Sequence, residues 1–140
     1  MIQLPSIPAR LMAALVMVFV WGGPASSAEP GLYGGEWLAT EISGKPVPEK
    51  ARMTLSIAAD GTVSGSGGCN RFTGTADIDG NRISFPPFAA TMKMCPPPLM
   101  VPEQEFLGAL AEVTSYRLEG SQLILEALGG VERVTLTREK

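Results

Sequence analysis

The sequence predicts an α+β fold that is mainly antiparallel β: about eight short strands and one packed helix, following an N-terminal signal peptide. Three observations predict it. Turn pairs rich in Gly, Asp and Asn recur at short intervals. The segments between them alternate apolar with polar residues. One later stretch switches to a helical period.

The first element is the leader. Arg10 is the only charged residue before Glu29, and Leu11 to Trp21 is an unbroken apolar run. As a helix that run spans roughly 16 Å, about half a bilayer core, so it is too short to be a membrane span. Pro5 and Pro8 before it, and Gly22, Gly23 and Pro24 after it, block its extension. Ser26-Ser27-Ala28 then supplies the small residues of a cleavage site. The expectation is a signal peptide over 1–28 and a single domain over 29–140, periplasmic or secreted. An uncleaved anchor is the competing reading.

The strands follow in chain order. Trp37 to Ile42 reads as the first, before the turn Ser43-Gly44. Met53, Leu55 and Ile57 alternate with Thr54, Ser56 and Ala58, up to Asp60-Gly61. Phe72, Gly74, Ala76 and Ile78 alternate with Thr73, Thr75 and Asp77, up to Asp79-Gly80-Asn81. Ile83 and Phe85 flank Ser84. Ser115 to Leu118, Leu123 to Leu125 and Val134 to Leu136 complete the set, with turns at Glu119-Gly120 and Gly129-Gly130. Alternation bounded by such turns is the pattern of antiparallel strands with one wet face. The helix is expected to start at Pro102, where a missing N–H costs nothing. Phe106, Leu110 and Val113 form its apolar stripe, broadened by Leu107 and Ala111. Glu103 and Glu105 would sit near its positive end.

Composition excludes several classes of chemistry. The chain has no histidine, so neither a Ser-His-Asp nor a Cys-His nucleophile can be assembled. Two cysteines are too few for a structural zinc site. A net charge of −3 argues against nucleic acid as a partner. In an exported chain Cys69 and Cys95 are expected to pair, closing a loop of about 27 residues worth roughly 3.5 kcal/mol. Two buried thiols are the alternative.

Several motifs stand in order: Trp37-Leu38, Ile42-Ser43-Gly44-Lys45, Gly68-Cys69-Asn70-Arg71-Phe72-Thr73-Gly74, Ala90-Thr91-Met92-Lys93-Met94-Cys95, and Glu103-Gln104-Glu105-Phe106-Leu107. Together they resemble the META domain, or HslJ-like, family over about Trp37 to Arg138. The resemblance implies a small antiparallel β-fold carrying one helix, in an exported or envelope protein associated with stress. It implies no catalytic residues. The sheet is expected to be barrel-like.

Each candidate site has a plainer reading beside it. Gly65 to Gly68 looks superficially like a phosphate loop, but a strand follows it where a phosphate loop opens a helix. Gly68, Asn70, Arg71, Phe72 and Thr91 are motif residues with a structural or a binding role; Asn70 suits a turn. Met92, Met94, Cys95 and Met100 offer soft ligands of the kind that suit Cu(I), with Met92 and Met94 on one strand face, yet methionines are also ordinary core fillers. Pro96-Pro97-Pro98 reads as a rigid connector. Glu103 and Glu105 would point apart on a helix, so they form no acid pair. The sequence therefore predicts no enzyme and no cofactor. It predicts a binding module for an unknown envelope protein or, alternatively, a carrier of a small apolar ligand in a cavity lined by Phe72, Phe85, Leu110 and Leu123.

Overall fold

The computed structural model describes residues 2–3 and 30–139. The expected signal peptide, 1–28, lies outside the described residues apart from Ile2 and Gln3. Among the described residues eleven strands form one sheet. They are β1 (Trp37–Ile42), β2 (Lys45–Pro46), β3 (Thr54–Ile57), β4 (Thr62–Ser66), β5 (Arg71–Thr75), β6 (Asp77–Asp79), β7 (Arg82–Ser84), β8 (Ala89–Ala90), β9 (Val113–Glu119), β10 (Gln122–Ala127) and β11 (Val131–Arg138), with the helix α1 (Pro97–Ala111) between β8 and β9. The sheet is mainly sequential hairpins, joined by tight turns such as Gly80-Asn81 and Gly120-Ser121.

The strand order is β6-β7-β9-β10-β11-β1-β3-β4-β5-β8, with β2 paired to β1 off this path. All pairings are antiparallel. β5 and β6 lie near opposite ends of the path, yet only Ala76 separates them in the chain. A flat sheet would hold them many strand widths apart, so the sheet curls until its two ends approach. The curl wraps a core in which Trp37, Met53, Leu55, Phe72, Phe106 and Leu136 are fully buried. Helix α1 packs on β11 and β1 and sends Phe106 and Leu110 inward. The ring of Phe106 meets that of Phe72 edge-on at 6.0 Å.

The segment before β1 is tied down as well. Leu32 is fully buried, and its carbonyl accepts from the Trp37 indole N–H at 3.2 Å. Arg138 lies 4.1 Å over the Trp37 ring and donates to the carbonyls of Gly31 and Gly34.

Four sequence expectations change. The count is eleven strands rather than about eight: Phe72 to Ile78 is two strands, and β2, β4 and β8 are strands that the alternation did not mark. The buried Ala76 donates its N–H to the Gly61 carbonyl at 2.8 Å, and the chain changes partners there. The helix begins at Pro97, so Pro97 and Pro98 are its first residues rather than part of a connector, and Pro102 lies inside it. Two prolines at the start remove two donors that would have no partner there. Pro102 costs the Pro98 carbonyl its helical partner, but Pro98 is exposed and its carbonyl can turn to water. Glu103 and Glu105 are therefore mid-helix residues, and Val113 opens β9. Finally, Phe72, Leu110 and Leu123 are at most 1% exposed, so the four residues do not together line a cavity open to water; of them, Phe85 borders a surface groove.

Candidate functional site

The motif residues converge where the β4–β5 connection, the β8–α1 loop and the middle of α1 meet. The turn from Gly67 to Asn70 is closed by Gly67 N–H donating to the Asn70 carbonyl at 2.8 Å. Gly68 has φ +105°, a region that only glycine enters without strain. Cys69 and Cys95 are joined as a disulfide, with Cα atoms 6.1 Å apart.

Glu103 reaches into this turn from α1 and is almost fully buried. Its Oε1 accepts from the backbone N–H of Cys69 at 3.2 Å and from that of Asn70. Its Oε2 accepts from Asn70 Nδ2 at 2.8 Å. A buried carboxylate is tolerated only when its lone pairs are matched in this way.

Asn70, also buried, uses both ends of its amide. Nδ2 donates to Glu103 and also to the Lys93 carbonyl at 3.2 Å. Oδ1 accepts from the Lys93 N–H at 2.7 Å and from the Thr91 hydroxyl at 2.9 Å. Thr91 Oγ1 in turn accepts from the Arg71 N–H at 3.1 Å. Each polar atom named here has a complementary partner, so the amide orientation of Asn70 is fixed from both sides. Asn70 acts as a two-sided side-chain substitute for a strand, pairing with the Lys93 peptide where β8 has ended.

The packing around Glu103 leaves no room for a Cβ at Gly67, which would sit 2.6 Å from Glu103 Cγ and Oε1. Gly67→Ala should therefore destabilise the domain by about 2 kcal/mol, read as a lower urea midpoint at unchanged slope. An unchanged midpoint would show that Glu103 is free to move aside.

The structure thus brings together Gly68, Cys69, Asn70, Phe72, Thr91 and Cys95. Phe72, two residues after Asn70 in β5, is buried in the core, 4.9 Å from the Phe88 ring. Arg71 is exposed and joins the network through its backbone. Met92 and Met94 lie in the β8–α1 loop, in no strand, and are 90% and 91% exposed. Glu103 is the residue that sequence reading missed as part of this site. The available signal was its position on the apolar stripe of the helix, three residues before Phe106 and seven before Leu110. Glu105 faces a surface pocket with Lys45 and Glu112, away from this junction.

The chemistry of the arrangement is adhesive. It joins two loops and a helix by hydrogen bonds directed at one another, stapled by sulfur. The META domain family model matches residues 30–140.

The chain belongs to the META domain family.

Known folds agree with the META assignment. An NMR structure is 26% identical, covering 76% of this chain and 91% of its own, with a TM-score of 0.60. A second NMR structure, of a protein from Burkholderia xenovorans, is 23% identical, covering 96% and 99%, with a TM-score of 0.61. The crystal structure of a DUF4847 family protein from Bacteroides vulgatus is 17% identical, covering 78% and 95%, with a TM-score of 0.59. No curated protein matches the chain. In this META domain no helix among the described residues is long and apolar enough to cross a membrane.

Proposed function

We propose that this META domain is an exported, non-catalytic binding module of the bacterial cell envelope, with a role in stress. One observation carries the non-catalytic part: the buried polar side chains of the motif, Asn70 and Glu103, are directed at each other and at neighbouring backbone rather than into a cleft. Export is supported by the leader-like residues 1–28 and by the disulfide, a bond that persists in oxidising compartments. In this reading the motif residues build the scaffold, and recognition falls to the surface that the scaffold presents.

A specific observation supports the apolar-ligand reading in a different place from the core. Phe85, Pro86, Pro87, Phe88, Leu107 and Ala111 border a surface groove of about 350 Å³ beside β8. An acyl chain could lie there without entering the core.

Native mass spectrometry of the protein released from the envelope tests both readings. A chain beginning at Glu29, with no reactive thiol and a stoichiometric protein partner, supports the binding module. A co-purified fatty acid instead supports the carrier. A cytoplasmic chain that retains residues 1–28 would remove the basis for export.

A further inference from the structure

We propose that Met92 and Met94 form a surface site for one soft monovalent cation, Cu(I) or Ag(I). Sequence alone left these methionines between core filler and soft ligand. Their exposure removes the first reading: at 90% and 91% they contribute nothing to the core, whereas Met53 is fully buried in it. A long apolar side chain left in water gives up the burial that normally accounts for its presence.

The backbone between them is held in place. Lys93 donates its N–H to Asn70 Oδ1 at 2.7 Å and accepts at its carbonyl from Asn70 Nδ2 at 3.2 Å. Asn70 is itself locked by Glu103, and Cys95 is tethered to Cys69 one residue beyond Met94. The peptide linking the two methionines is thus clamped at both ends by a buried side chain while both thioethers stand in solvent. Even fully extended, Cα atoms two residues apart are separated by at most about 7 Å. Two unbranched side chains with three torsions each can close that gap on one ion. The clamp reduces the ordering cost to the side chains alone.

Ligand chemistry selects the ion. Thioether sulfur is neutral and polarisable, and it favours Cu(I) over Cu(II), Zn(II) or harder cations. The chain has no imidazole, and among the described residues no cysteine is free. No group of three or more Cys, Asp or Glu residues suited to a metal occurs there either. Thioethers carry no titrating proton, so binding through them should be insensitive to mild acid, unlike binding through histidine, thiolate or carboxylate.

The test is titration with silver nitrate in chloride-free buffer, followed by native mass spectrometry, and with Cu(I) held reduced by ascorbate in competition with a chromophoric chelator. One ion per chain is expected, with equal affinity at about pH 5 and pH 7. The double variant Met92→Leu/Met94→Leu should keep its melting temperature and lose at least about tenfold in affinity, the minimum cost of disturbing even an outer partner of a metal site. Undiminished binding in that variant, binding that disappears at the lower pH, or no one-to-one silver complex would each overturn the proposal.

Discussion

Glu103→Ala is expected to cost about 4 kcal/mol, the largest loss of any single polar substitution in the domain. The change leaves three N–H groups without an acceptor: the backbone N–H groups of Cys69 and Asn70 and one of the two on Asn70 Nδ2, whose other hydrogen stays with the Lys93 carbonyl. Orphaned buried donors cost about 1–3 kcal/mol each, and the three are too close together to add fully. The side chain also fills space against Gly67, so alanine opens a void there. Against a total stability of roughly 5–15 kcal/mol this is severe, equivalent to a fall of about 15 °C in melting temperature. Glu103→Gln separates hydrogen bonding from volume. Its carbonyl oxygen can still accept from the two backbone groups, but its NH2 would face Asn70 Nδ2, donor against donor. Asn70 cannot flip to relieve this, because its Oδ1 already serves Lys93 and Thr91. The glutamine variant should lose about 2 kcal/mol. Urea unfolding of both variants checks the order. A loss below about 1 kcal/mol for alanine would mean that water replaces the carboxylate and that the junction is not structural.

Removing the disulfide should cost nearly as much, by a different route. Cys69→Ser/Cys95→Ser leaves most native contacts standing, since Asn70 still holds Lys93. It frees a loop of about 27 residues in the unfolded chain, worth roughly 3.5 kcal/mol in the chain-entropy model. Melting with and without reductant should differ by about 12 °C in the parent protein and not at all in the double serine variant. Coincident melts of the parent would show that the bond adds nothing beyond the hydrogen bonds beside it. Since Cys69 N–H also bonds Glu103, the disulfide and Glu103 variants are expected to combine non-additively.

Much of this architecture was legible in the residues. Paired turn signals such as Asp79-Gly80-Asn81 and Glu119-Gly120 stand where tight hairpins form, because a two-residue turn is a local event with a local signature. The break at Ala76 was not legible. The alternation of Phe72, Gly74, Ala76 and Ile78 continues through it, and only the distant Gly61 carbonyl marks the point where the chain changes partners. β8 is two alanines, too short to carry any period, and exists because β5 offers it an edge. The helix start was misread because an interior proline is usually prohibitive, so Pro102 looked like a beginning. At the site, the motif residues were legible but their relations were not. Glu103 lies 33 and 34 positions from the groups it serves, and no spacing rule connects them. Met92 and Met94 were ambiguous for the opposite reason: burial, which sequence does not state, decides between filler and ligand.

The pairing of β1 with β11 has a consequence for the order of assembly. The first strand of the domain hydrogen-bonds the last along one edge, so although β3 is at hand for its other edge, the partner of that edge exists only once the whole polypeptide is available. A chain emerging N-terminus first through a narrow pore would hold its leading edge open throughout the passage, and the wrap would complete only after the final residues came through.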